Sequence, residues 1–218
     1  MKNVLRVLIV VFLISVCCPV PAVAQDDWQL WNGYSLKAKM HEDFSLKVSG
    51  EQRFQDNFSE SALANVNVGV LWHPSKYFEL WPFFKYERTK TAPGVHVNER
   101  RWALQGTFKL TPGPFKVSDR NRMEYRDRST NDIWRYRNKL KLSLPIGVKK
   151  ITLSPFIADE VFWELNDGTF NQNRAQAGVD MKITKNFSIS LYGMIKSNRK
   201  DSDWDEVFVL GTGVSISV

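Results

Sequence analysis

Three histidines, His41, His73 and His96, are the only imidazoles in the chain. A hydrolytic site would need one of them oriented by a carboxylate and set beside a serine or a water. His41 and His73 fall in His41-Glu42-Asp43 and His73-Pro74-Ser75-Lys76, which read as tight turns where an imidazole is simply solvated. His96 lies near a longer polar stretch with Glu99 three residues on, a spacing that puts the two on opposite faces of an extended segment. No serine of that stretch is an obvious partner. No set of His and Cys has a metal-ligand spacing, and no glycine-rich phosphate cradle occurs. The expectation is therefore a chain without catalytic residue, metal or cofactor. A barrel enzyme acting on lipid or peptide through His96 is the alternative. Glu124 and Glu160 could pair for acid–base work, but both lie among arginines, and ion pairing is the plainer role.

The remaining reactive residues are charges, and their spacing is two. In residues 134–144, Trp134, Tyr136, Leu140, Leu142 and Leu144 alternate with Arg135, Arg137, Lys139, Lys141 and Ser143. In residues 174–183, Ala175, Ala177, Val179, Met181 and Ile183 oppose Arg174, Gln176, Gly178, Asp180 and Lys182. Successive side chains of a strand point to opposite faces, so each segment is a ribbon with one apolar and one polar side. The pattern predicts strands near 28–40, 43–54, 61–72, 77–88, 97–110, 114–128, 132–144, 149–164, 169–183, 186–199 and 204–218. Tight turns such as Thr111-Pro112-Gly113-Pro114 alternate with longer polar stretches such as Thr89 to His96. That alternation fits an all-β, antiparallel up-and-down barrel with short turns on one rim and longer loops on the other.

Which face turns inward follows from cost. An Arg or Lys facing lipid near the bilayer midplane costs about 2–4 kcal/mol, and more than a dozen occupy the polar faces. Those faces must line a lumen, which makes the barrel transmembrane. The expected lumen network is Glu51, Arg53, Glu99, Arg101, Arg122, Glu124, Arg126, Arg135, Arg137, Lys139, Glu160, Arg174 and Asp180. Aromatics crowd the strand ends, among them Trp28, Trp31, Phe54, Phe58, Trp72, Tyr77, Phe78, Phe108, Phe115, Trp134, Phe170, Phe187 and Trp204, as in two interfacial girdles. The eleven segments conflict with the even strand count usual in such barrels. Ten to twelve strands are expected, with twelve preferred if 28–40 is two short pieces.

Two resemblances support this reading. The ending Gly213-Val214-Ser215-Ile216-Ser217-Val218 resembles the C-terminal assembly signal of bacterial outer-membrane barrels, with Val218 where an aromatic is usual. Four stretches resemble, in order, a family of bacterial outer-membrane barrels known only as a domain of unknown function. They are Asn121-Arg122-Met123-Glu124-Tyr125-Arg126, Arg135-Tyr136-Arg137-Asn138-Lys139-Leu140, Pro155-Phe156-Ile157-Ala158-Asp159-Glu160-Val161-Phe162 and Asn171-Gln172-Asn173-Arg174. The resemblance implies a barrel of the same kind and no activity.

Residues 1–24 read as a secretory signal peptide ahead of a barrel at 25–218. Lys2 and Arg6 precede a short apolar run, and Ala22-Val23-Ala24 offers a cleavage site. Export through the Sec route to the bacterial outer membrane is expected. Cleavage removes Cys17 and Cys18, so the mature chain has no thiol and no disulfide framework. It also lowers Lys+Arg from 30 to 28 against 23 Asp+Glu, a net charge of +5. Basic residues that alternate along strands do not form a nucleic-acid surface. The expected partners are outer-membrane lipid and the barrel-assembly machinery, engaged through the C-terminal strand. Two roles fit the charged lumen: a structural barrel braced by ion pairs, or a narrow, porin-like passive pore for small anions. A soluble periplasmic barrel binding an apolar ligand is the remaining alternative.

Overall fold

The computed structural model describes residues 28–128, 131–200 and 203–218. The segment 1–24, with its two cysteines and cleavage site, lies outside the described residues, as do 129–130 and 201–202. The elements are β1 (Trp28–Lys39), β2 (Phe44–Gln55), β3 (Glu60–Ser75), β4 (Phe78–Ala92), β5 (Val95–Leu110) and β6 (Lys116–Arg128). They continue with β7 (Ile133–Ser143), β8 (Ile146–Val148), β9 (Ile151–Glu164), β10 (Thr169–Lys182), β11 (Phe187–Lys200) and β12 (Asp203–Ser217).

Consecutive strands pair in antiparallel register except β7 and β8, and β12 returns to β1, so the sheet closes on itself. β7 and β8 both pair with β9 along one edge and form a single stave interrupted at Leu144 and Pro145. Proline has no N–H to give the ladder. Leu144 still donates its N–H to the Pro155 carbonyl, 3.0 Å. The barrel therefore has eleven staves. That number lies within the expected range but corrects the expected even parity, and β1 is one continuous strand rather than two pieces. An odd count forces one parallel seam. It is β1 against β12, in register from Trp28↔Phe208 to Lys37↔Ser217. Lys39 donates to the Val218 carbonyl, 2.8 Å, and Val218 donates to the Lys37 carbonyl, 2.9 Å, which carries the seam to the last residue. The seam is reinforced by Thr212 Oγ1 donating to Asn32 Oδ1, 2.7 Å, and by the Trp28 and Phe208 rings, 4.5 Å apart. On the seam strand itself, Gly211 sits under the ring of Tyr192 from β11; a Cβ there would lie 2.0 Å from a ring carbon, so the side chain is absent where the ring needs the space.

The contrast between short and long rims is corrected as well. Strands extend into the polar stretches, so β4 and β5 are joined only by residues 93–94, and connections such as 40–43 and 183–186 on the opposite rim are no shorter. The stretch 89–96 is mostly strand and continues the alternation of β4 and β5, whereas 56–59 and 165–168 remain turns.

The apolar faces turn outward. Leu140 is 53% exposed, and Val66, Val68, Val70, Trp102, Leu104, Ile157 and Leu191 are exposed with it. Strands of 11–16 residues form the staves, against the roughly 9–11 tilted residues that cross a bilayer. Most of the expected girdle aromatics are exposed at strand ends, including Trp28, Trp72, Tyr77, Phe108, Trp134 and Trp204. Phe54, Phe78, Phe170 and Phe187 are half-buried, and Trp31 is buried, 2% exposed, on the inner face of β1. The outer wall carries one polar patch on β6, β7, β9 and β10. There Asn138 donates to Asp119, 2.6 Å, Tyr136 to Asn121, 2.5 Å, and Asn173 to Asp159, 3.0 Å, so each side chain has a partner on the wall itself.

Candidate functional site

The inner wall of β5, β6 and β7 is built by strict alternation. Glu99, Arg101, Glu124, Arg126, Arg135 and Arg137 point into the barrel and are buried. Pairing places Glu124 opposite Arg135, and Arg122 opposite Arg137. Glu124, 1% exposed, is the hub. Its Oε2 accepts from Arg135 Nη2 at 2.6 Å and Nε at 3.0 Å. Its Oε1 accepts from Arg137 Nη1 at 2.9 Å and Arg122 Nη1 at 3.2 Å, and Arg101 Nη1 lies 3.8 Å from Oε2. Four guanidinium groups thus surround one carboxylate. Planar forks allow this, because each presents several N–H groups in fixed directions.

Two further carboxylates continue the network. Glu160 accepts from Arg137 Nη2 and Arg120 Nη2, each at 2.6 Å, and stands 3.9 Å from Arg174 Nη1. Glu99 accepts from Arg126 Nε at 2.6 Å, from Arg128 Nε at 2.9 Å and from Arg101. Arg101 also donates to Glu87, which pairs with Lys85 Nζ at 2.7 Å. Ion pairs thus lace β4, β5, β6, β7, β9 and β10 together across the barrel interior.

The other expected residues stand apart from the hub. Glu51 and Arg53 pair with each other on β2, Nη2 to Oε1 at 2.6 Å. Lys139 donates to Gln176 at 2.5 Å. Asp180 pairs with Lys141 at 2.6 Å and accepts from Ser190 at 2.8 Å near the rim of Lys39. His73 corrects the turn assignment: it belongs to β3, and its Nδ1 lies 3.2 Å from Glu79, which also pairs with Lys109. His96 is exposed, and register places it with Lys90 while Glu99 belongs to the opposite, buried face.

Sequence reasoning missed several inner residues. Arg120 shares the two-residue phase of Arg122 and Glu124, so its signal was present. Trp31, Trp81, Phe83, Phe156 and Phe162 are buried inside, and their types alone pointed to the lipid side. They support cations: the Arg53 guanidinium lies 3.6 Å from the Trp31 ring centre, Arg174 and Arg137 each 4.4 Å from Phe162, and Lys47 Nζ 4.1 Å from Trp81.

Among the described residues, two chambers lie along the axis. The smaller, about 220 Å³, is toward the rim of Lys39 and is lined by Arg53, Lys85, Arg120, Arg122, Arg137, Lys139 and Arg174 against Glu51 and Glu160. The larger, about 440 Å³, is toward the rim of Trp28 and is lined by nine cations, among them Arg126, Arg128 and Lys196, against Glu87 and Glu99. Arg53, Lys85, Arg137 and Arg174 line both. Among the described residues no group of His, Cys, Asp and Glu could hold a metal ion.

A family model described as "Protein of unknown function (DUF2490)" matches residues 28–207. No curated protein matches the chain. Among solved structures, the chain is similar to the beta domain of the Bordetella autotransporter BrkA, with a TM-score of 0.50 and 11% identity over 78% of this chain and 82% of that one. That likeness shows the barrel fold. LpxR from Salmonella typhimurium aligns at 0.49 with 8% identity, over 84% of this chain and 87% of that one. The siderophore receptor PirA from Pseudomonas aeruginosa aligns at 0.29 with 12% identity, over 79% of this chain and 35% of that one.

Proposed function

The chain belongs to the family described as Protein of unknown function (DUF2490), and from that premise we propose that it is an outer-membrane barrel whose constricted, cationic lumen passes small anions. The observation that carries this reading is the excess of Arg and Lys around two chambers that share Arg53, Lys85, Arg137 and Arg174. Cationic rings favour anions over cations at close quarters. Eleven staves lie between the eight-stranded barrels that side chains fill and the sixteen-stranded ones that leave a wide aqueous channel. The outward apolar wall supports insertion in lipid. β12 is the strand that barrel-assembly machinery would engage, with the rim of Lys39 toward the periplasm. No nucleic-acid partner and no cofactor enter this reading. His96 and Glu99, on opposite faces, lend no support to hydrolysis.

A second reading has its own support: Glu124, surrounded by four arginines at 1% exposure, favours a barrel braced shut. Planar-bilayer recording across a potassium chloride gradient separates the two. Small steps with a reversal potential on the chloride side are expected. Heat-modifiable, membrane-inserted protein that gives no steps would leave the brace. Recovery of the protein in the soluble periplasmic fraction would remove both readings.

A further inference from the structure

We infer that the smaller chamber is a binding site for one compact oxyanion with several oxygens, of the phosphate or sulfate type. This rests on the reading of the lumen as a route for anions and adds a specific stop within it. Two buried donors on its wall meet no acceptor in the protein: Trp81 Nε1, with the residue 3% exposed, and Arg174 Nε, with the residue 8% exposed. Asn65 Nδ2 on the same wall is also without an acceptor. All three are N–H groups, and an indole N–H can only donate. Buried donors are normally paired, so a chamber wall that holds three unpaired donors is complementary to an acceptor.

The donors are held in place rather than adrift. Arg174 donates Nη2 to Gln172 at 3.1 Å, and its guanidinium packs 4.8 Å from the Trp31 ring centre and 4.4 Å from that of Phe162. The two wall carboxylates are already engaged, Glu51 by Arg53 and Glu160 by Arg137 and Arg120. Asn65 and Trp81 stand on β3 and β4, while Arg174 stands on β10, five staves away around the barrel. A halide offers one centre and no direction. An oxyanion presents oxygens in several directions and can accept from facing walls, with the bidentate preference that guanidinium shows for phosphate.

The experiment is titration calorimetry of the folded barrel in detergent with inorganic phosphate, then with sulfate, at constant chloride, alongside chloride currents in bilayers with phosphate added. Phosphate is expected to bind once per barrel and to reduce the chloride current. Trp81→Phe keeps the ring and removes the N–H; Arg174→Lys keeps the charge and removes Nε. Each is expected to weaken phosphate binding about tenfold, the loss expected for one hydrogen bond to a charged group, while Lys76→Gln in the turn at 76–77 leaves it unchanged. Should one variant fail the heat-shift test for folding, the other carries the comparison. Chloride conductance without phosphate binding would overturn the oxyanion site and leave the pore. Phosphate binding without conductance would overturn the pore and leave the site. Binding that neither folded variant weakens would overturn the site's location.

Discussion

Glu124 illustrates how far a single residue governs this interior. Its carboxylate is shared by Arg122, Arg135 and Arg137, with Arg101 at 3.8 Å. Removing one partner from a buried ion pair strands the others in a poor solvent and costs about 3–5 kcal/mol. Glu124→Gln is therefore expected to lower stability by that order, read as an earlier loss of the heat-shifted band and an earlier urea midpoint in detergent. Asp180→Asn supplies the contrast. Its pair with Lys141 is partly solvated, with side-chain exposures of 37% and 27%, and exposed pairs contribute about 0–1 kcal/mol. Equal midpoint shifts in the two variants would contradict the hub. The alternation placed both residues inside. Sequence could not separate them, because the difference lies in how many neighbouring strands aim a guanidinium at each carboxylate.

At the scale of the element, the seam is the feature that alternation could not foresee. Strand directions alternate around an up-and-down barrel, so the odd eleventh stave must meet the first in parallel. The apolar phase of β1 and β12 is compatible with either direction, since the period of two is the same in both. At this seam, Gly211 and Tyr192 form a fitted pair on β12 and β11. Gly211→Val would drive its side chain into the ring, and the expected outcome is a lower folded yield in refolding into detergent micelles. Combining it with Tyr192→Ala removes the obstacle and is expected to restore yield. A double variant no better than the single one would show that the ring is not what Gly211 accommodates. Pro145 is a milder irregularity: it splits one stave into β7 and β8 without changing the strand order, because both pieces keep pairing with β9.

For the whole molecule, an odd stave count sets the two ends of the barrel on opposite rims. Trp28 begins β1 on the rim that also carries residues 93–94, while Val218 closes on Lys37 and Lys39 at the rim of residues 111–115. Residues 25–218 contain no cysteine, so single cysteines can be introduced there against a cysteine-free barrel sequence. In vesicles holding the barrel in one orientation, Trp28→Cys is expected to label with an impermeant maleimide from the same side as Gly94→Cys. Val218→Cys is expected to label from the opposite side, together with Gly113→Cys. Labelling of positions 28 and 218 from one side would mean an even, wholly antiparallel barrel.

The sequence by itself determined the strands, their two faces and the inward turn of the charges. Each of these depends on local periodicity and on the cost of placing arginine against hydrocarbon, and both are legible in one segment at a time. Tertiary structure alone decided the closure: the parallel seam, the aromatic residues Trp31, Trp81 and Phe162 turned inward beneath cations, and the choice of Glu124 over Asp180 as hub. These depend on which strands become neighbours around the axis, and the two-residue period carries no record of the neighbour across the lumen.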